Sequence, residues 1–190
     1  MNANVGMVYP VAATVQTYTP GSSISYKSPG SNFAEAVSAS LSWERADGHF
    51  YGDDVELDSD NGVLGYTIDF EPTGLKDDAR ALLLGETVST GEYTITDAAA
   101  PDVGFGYVRV MRDQGTVSYE AWWFYKLKFG VSSEETRTKE RSIEWRTPTL
   151  QGVGAGVSLD STGTLSFCLH KTFTSLSDAK SWLNSKAGIT

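Results

Sequence analysis

A chain of 190 residues is most economically one domain, 1–190, and a content of 40% hydrophobic and 12% aromatic residues excludes a disordered polymer. A formal charge of −9 argues against tight capture of a nucleic-acid backbone, although a repelled polymer can still pass nearby as cargo. One cysteine, Cys168, excludes an internal disulfide framework, and no stretch approaches the roughly 20 apolar residues that span a bilayer. The start MNANVGMVYP lacks the basic and apolar runs of a secretory signal, so cytoplasmic synthesis without a membrane anchor is the expectation.

Residues 1–32 are loosely patterned and read as an N-terminal arm, with a possible strand over 8–18 and a long surface segment over 19–32. The core is expected over 33–190. Its first strand alternates cleanly, with Val37, Ala39, Leu41 and Trp43 on one face and Ser38, Ser40, Ser42 and Glu44 on the other. Asp47-Gly48 and Asn61-Gly62 are tight-turn signals on either side of the acidic run HFYGDDVELDSD, which reads as a long, charged, projecting hairpin. A strand over 63–71 sets Leu64, Tyr66, Ile68 and Phe70 against Thr67, Asp69 and Glu71. A helix follows, with Leu75, Ala79, Leu82 and Leu83 on one stripe, Asp77 and Asp78 in its first turns and Gly85 placed to end it.

The organising stretch is 119–152. Tyr119, Ala121, Trp123, Tyr125, Leu127 and Phe129 share one face at period two, yet Trp122 and Phe124 make the other face apolar as well. Such a strand belongs between two layers or at a contact with another chain. This strand and 105–112 form a hairpin about Asp113-Gln114-Gly115. A second run, 138–148, sets Ile143 and Trp145 against Glu140, Ser142, Glu144 and Arg146. GVGAG, at 152–156, reads as a bend that breaks strand register, and a third hairpin turns at Ser161-Thr162-Gly163. The C-terminal helix is expected to start with a capping box, Ser175 with Asp178, and to dock through Leu176, Ala179, Leu183 and Trp182.

Chemistry is sparse. His49 and His170 lie in no nucleophile motif, and Cys168 two residues from His170 reads as a small core residue beside an exposed imidazole. The acids Asp53, Asp54, Glu56, Asp58 and Asp60 miss the calcium-loop register, because counting back from Gly62 puts Leu57 at the first ligand position. GVGAG lacks the third glycine of a dinucleotide fingerprint. No enzyme, cofactor or metal site is expected. The positive signals concern surfaces. Three strands carry a face of small or acidic residues: Ser38, Ser40, Ser42 and Glu44; Thr67, Asp69 and Glu71; Glu140, Ser142 and Glu144. Ordinary solvent faces mix lysine with glutamate, and this face is depleted of lysine. Bases gather instead at Arg137, Lys139 and Arg141.

The segment VSASLSWERADGHFYGDDVE, the acidic hairpin, the helix DDARALLLGE, the stretch WWFYKLKFGVSSEETRTKERSIEWRTPTLQG and the terminal DAKSWL, in that order, resemble the major tail (tail tube) protein of long non-contractile-tailed bacteriophages. The resemblance covers roughly 37–183. It implies a β-rich α+β fold, a tail-tube-type antiparallel β-sandwich or barrel with a central helix, a long projecting hairpin and a short C-terminal helix. It further implies homohexameric rings stacked into a tube in the virion tail. Tail-tip or initiator, tape measure and terminator proteins would be partners, and genomic DNA would pass through without specific binding. On that basis Ser40, Ser42, Glu44, Thr67, Asp69, Glu71, Glu140, Ser142 and Glu144 are expected to face the lumen. Phe50, Tyr51, Asp53, Asp54, Glu56, Asp58, Trp122, Phe124, Arg137, Lys139 and Arg141 are expected at contacts between subunits or rings. Two other classes compete: a monomeric β-sandwich binding module for a glycan or host surface, and a carboxylate-dependent hydrolase with two acids at defined separation. A tail connector or terminator protein is a near neighbour of the tube reading.

Overall fold

The computed structural model describes residues 3–53, 55–133 and 147–189. In chain order the elements begin with β1 (Ala3–Thr19), β2 (Ser23–Tyr26), β3 (Ser31–Asn32), β4 (Ala36–Arg45), β5 (Gly48–Gly52), β6 (Val55–Asp60), β7 (Val63–Pro72) and α1 (Asp77–Leu84). They continue with β8 (Thr87–Ser89), β9 (Glu92–Thr94), β10 (Val103–Asp113), β11 (Thr116–Ser133), β12 (Thr149–Ala155), β13 (Val157–Ser158), β14 (Leu165–Ser166), β15 (Cys168–Phe173) and α2 (Leu176–Ala187). Among the described residues, one antiparallel sheet of nine strands dominates, in the order β2-β1-β10-β11-β12-β7-β4, with β3 beside β1 and β15 beside β11. The fold is therefore β-rich with two helices.

The stretch expected to organise the chain does so. The hairpin β10–β11 turns at Gln114 and Gly115, both at positive φ, as a two-residue turn of primed type requires. β11 then holds β10 along one edge, while its other edge is divided: Tyr119 to Phe124 pair with β15, and Leu127 to Ser133 pair with β12. The register slips between Val103↔Leu127 and Phe105↔Phe124, so β11 bulges at Tyr125-Lys126. The bulge corrects the simple period-two reading, because Leu127 and Phe129 join the face of Phe124 and leave that of Trp123. Its two carbonyls are satisfied by tyrosines from opposite sides, Tyr26 Oη donating to Tyr125 O at 2.8 Å and Tyr66 Oη to Lys126 O at 3.0 Å.

One face of the sheet is apolar throughout. Tyr66, Ile68 and Phe70 of β7, Phe105 of β10, Phe124, Leu127 and Phe129 of β11 and Leu150 of β12 are all buried in one cluster. β11 and β12 separate β7 from β10 in the sheet, yet the Phe70 and Phe105 rings lie 5.4 Å apart, so the sheet curls around this core. Helix α1 covers part of it with Ala79 and Leu83, and ends at Gly85 in the left-handed conformation, as the sequence signals. Helix α2 packs on the reverse face, where Ala179, Leu183 and Ala187 meet Val11, Ala13, Val108, Ala121 and Trp123. β11 is thus apolar on both sides because this chain itself supplies two layers.

Several expectations are corrected. The strand expected over 8–18 is longer than the sequence suggested: β1 is a 17-residue strand of the main sheet, with Val11, Ala12 and Ala13 fully buried. Its alternation is hidden by register shifts, and Tyr9 sits at φ +59° inside one of them. GVGAG is no bend up to Ala155, since Gly152 and Gly154 lie in β12 in the sheet's interior. A Cβ on Gly154 would stand 2.0 Å from Tyr66 Cζ, and one on Gly152 2.7 Å from Leu127 Cδ1. These glycines let large side chains of the neighbouring strands cross the strand. Asp47-Gly48 and Asn61-Gly62 turn nothing tightly, since β5 pairs with β6 and β4 with β7. They lie opposite one another where one long hairpin is interrupted, closed by Ala46 N–H to Gly62 O at 2.8 Å. Leu64, expected in the core, is 58% exposed at the open end of β7. The capping box of α2 is not made: Ser175 has cap-like extended backbone, but its hydroxyl lies 2.8 Å from that of Ser177 and makes no cap hydrogen bond.

Candidate functional site

Among the described residues, the reverse face of β4, β7, β12 and the end of β11 carries no helix and is built in cross-strand rows. Ser40 pairs with Asp69, Asp69 with Gln151 and Gln151 with Gly130. The next row runs Ser42, Thr67, Val153 and Lys128, and beyond it Glu44 pairs with Gly65 and Gly65 with Ala155. On the other side Ser38 pairs with Glu71. The structure therefore gathers Ser40, Ser42, Glu44, Thr67, Asp69 and Glu71 on one surface. Thr67 and Glu71 are half-buried and the others exposed. Hydrogen bonds tie the rows: Ser38 Oγ donates to Glu71 Oε2 at 3.1 Å, Gln151 Nε2 to Asp69 Oδ1 at 3.0 Å, and the Thr147 hydroxyl to Glu71. Glu140, Ser142 and Glu144 lie outside the described residues.

Sequence reasoning missed half of this face. Gln151 and Val153 belong to the segment read as leading into a bend, and Lys128 and Gly130 reach this side only because of the β11 bulge. They change its electrostatics. The acids Glu44, Asp69 and Glu71 occupy the β4–β7 side, whereas Lys128, 52% exposed, stands on the β11 side. Asp102 accepts from Lys126 Nζ at 3.4 Å and lies 4.0 Å from Lys128 Nζ. The expected depletion of lysine holds on β4 and β7 but not across the whole face.

The hairpin over 48–60 is present as an element. β5 and β6 pair with each other and with no other strand among the described residues. Asp53 at its tip has φ +50°, and Val55, Asp58 and Asp60 are exposed. The backbone places Phe50 and Tyr51 on β5 and Glu56 on β6, while Asp54 falls outside the described residues. So do Arg137, Lys139 and Arg141. Two proposed contact residues behave differently. Phe124 is fully buried in the core of its own chain, which corrects its assignment to a contact between subunits. Trp122 is half-buried. Its ring stacks on His170 with centroids 4.7 Å apart, Arg109 lies 4.7 Å over it, and its indole N–H donates to Glu120 Oε2 at 2.8 Å.

Cys168 and His170 share a strand face without forming a couple. Burial pushes the Cys168 thiol up to about 11, so it keeps its proton at neutral pH. His170 Nδ1 lies 3.2 Å from Glu120 Oε1 instead. No helix among the described residues is long and apolar enough to cross a membrane. Comparison of the chain with protein-family models, with curated proteins and with solved structures finds no match to any of them.

Proposed function

We propose that this chain is a structural subunit that polymerises as stacked hexameric rings, forming the tail tube of a long-tailed, non-contractile bacteriophage. The observation that carries the reading is the face of β4, β7 and β12, which among the described residues carries no helix, is mostly small, polar and acidic, and lies beside a strand edge without a described partner. A curled sheet of this kind becomes a sandwich, with the polar half turned to the bore and the α2-covered half turned outward. Glu44, Asp69 and Glu71 repel DNA phosphates, and no cluster of bases on β4 or β7 would hold the polymer, so it slides. The hairpin β5–β6 is free to reach a neighbouring subunit or ring. Among the described residues its two strands pair only with each other, and Val55 is exposed. Enzymatic chemistry has no comparable support.

Negative-stain electron microscopy of the purified protein, with tail-tip proteins added where seeding is needed, tests the class. Hollow rings or tubes are the expected result. A concentrated sample that never forms rings under either condition removes the tube reading and favours a monomeric binding module. Within assembled tails, Asp69→Lys places a base in the bore. Tubes should still form, with genome ejection slowed, and normal ejection by that variant would show that the face lies elsewhere.

A further inference from the structure

We propose that Asn61-Gly62 is a self-modifying site, where the Gly62 nitrogen attacks the Asn61 side-chain amide and converts Asn61 to aspartate and isoaspartate. The proposal is independent of the ring reading. It starts from a dipeptide that the fold leaves without its expected purpose. Asn61-Gly62 turns no hairpin, since β6 pairs with β5, and β7 with β4 and β12. Both residues lie between strands and are exposed. Asparagine is among the thermolabile residues, and its fate depends on what surrounds the amide.

Ring closure needs an unhindered nitrogen, a side-chain amide that is not held, and a backbone able to rotate. Gly62 supplies the first, having no Cβ beside the approach. Among the described residues the Asn61 side-chain amide has no hydrogen-bond partner; only its backbone carbonyl is engaged, by Arg45 Nη1 at 3.3 Å. The Gly62 N–H donates to a side chain, Asp60 Oδ1 at 2.9 Å, and to no ladder. The reaction balances with water alone. Gly62 N gives its proton to hydroxide and bonds to Asn61 Cγ, and the Cγ–Nδ2 bond breaks as ammonia leaves with a proton from water. The cyclic succinimide then adds water. Opening at the side-chain carbonyl gives aspartate. Opening at the main-chain carbonyl gives isoaspartate, whose backbone is longer by one carbon.

The other described asparagines lack these conditions. Asn4 lies in β1 before Val5, and its Oδ1 accepts from Gly6 N–H at 3.2 Å. Asn32 precedes buried Phe33, and its Nδ2 donates to Pro10 O at 2.8 Å. Asn184 lies within α2, and its Oδ1 accepts from Tyr9 Oη at 2.9 Å. Across the joint, Asp47-Gly48 would close the same ring by losing water. A carboxylate is a poorer electrophile than an amide, and that of Asp47 is engaged by His49 Nε2 at 3.0 Å. Asn61 is therefore the residue that reacts first. Either product adds a negative charge to a chain already at −9, next to the Ala46 N–H to Gly62 O bond that closes the joint.

The test holds the purified, folded protein in mildly alkaline buffer made with heavy-oxygen water and maps its peptides by mass spectrometry. An isoaspartate-specific methyltransferase counts the longer-backbone product. Asn61 should convert at least about tenfold faster than Asn4, Asn32 or Asn184, with heavy oxygen incorporated and isoaspartate in excess. Gly62→Ala should slow the conversion about tenfold, because its methyl group crowds the attacking nitrogen. The added Cβ would meet only Asp60 Oδ1, at 3.2 Å, so a small side-chain shift accommodates it. Asn61→Gln, which would need a larger ring, should abolish the reaction at this position. Conversion at Asn61 no faster than at the strand and helix asparagines, or unchanged by Gly62→Ala, overturns the proposal. So does conversion that occurs in urea but not in the folded protein, since the joint would then be held.

Discussion

The reverse side of the sheet is two surfaces that share a backbone and differ in what covers them. Over β1, β10 and the first half of β11 it holds Val11, Ala13, Val108, Ala121 and Trp123 and is closed by α2. Over β4, β7 and β12 it holds serine, threonine, glutamine, acids and exposed Val153, and no described helix or strand covers it. Glycine has opposite meanings on the two. A Cβ on Gly106 would meet Leu183 Cδ2 at 2.7 Å and the Trp122 carbonyl oxygen at 2.8 Å, whereas one on Gly130 would meet nothing within 4 Å. On the covered surface glycine makes room for a helix and an indole. On the open one it keeps the surface low.

Three measurements break or sharpen that contrast. The largest effect is expected from Trp123→Ala, which removes the fully buried indole between Gly104, Gly106, Tyr26 and α2; urea unfolding should show a loss of about 3–5 kcal/mol. A loss below about 1 kcal/mol would mean that α2 is not held by this packing. Next comes the glycine pair. Gly106→Ala should cost about 1–3 kcal/mol through overpacking against backbone, and Gly130→Ala should stay within about 0.5 kcal/mol. Equal shifts in the two would erase the distinction between the surfaces. The smallest and most gradual effect is alkaline. Burial raises the Tyr26 and Tyr66 hydroxyls above their ordinary value of 10.0, in Tyr26 despite the hydrogen bond from Trp123 that pulls the other way. Their folded values exceed their unfolded ones, so the stability they contribute is fully present below about pH 10 and falls as the pH climbs beyond it. The unfolding midpoint should drop between pH 9 and 11, less so in Tyr26→Phe once its lower baseline is subtracted. A midpoint flat across that range would contradict the buried hydroxyls.

What the sequence disclosed follows from the range over which each signal acts. Gly85 after ARALLL ends a helix, and Gln114-Gly115 between alternating runs turns a hairpin, because both depend on residues within a few positions. The alternation of 37–44 and 63–71 correctly put Ser40, Ser42, Glu44, Thr67, Asp69 and Glu71 on shared faces for the same reason. Asn61-Gly62 misled because its turn signal supposes that the flanking strands pair with each other, and β6 pairs backwards with β5. Gly152 and Gly154 misled because their purpose is Tyr66, Leu127 and Phe129, distant in sequence. β1 was read only over 8–18, short of its full length, because its register shifts erase the period. Lys128 could not be assigned to the polar surface without the bulge at Tyr125-Lys126, and that bulge is satisfied by two tyrosines from other strands.

That bulge stands where β11 changes partners from β15 to β12, and so marks where the two halves of the sheet are joined by continuous chain. Neither half owns β11. Opening the β4–β7–β12 side strips one stretch of it, and releasing α2 and β15 strips the other, so fraying on either side reaches the same eighteen residues. Slow hydrogen exchange should therefore be shared between α2 and the distant β7 ladder, with both losing protection in one cooperative event. A strand that serves two ladders makes the bare surface as durable as the covered one, although it buries far less of its own.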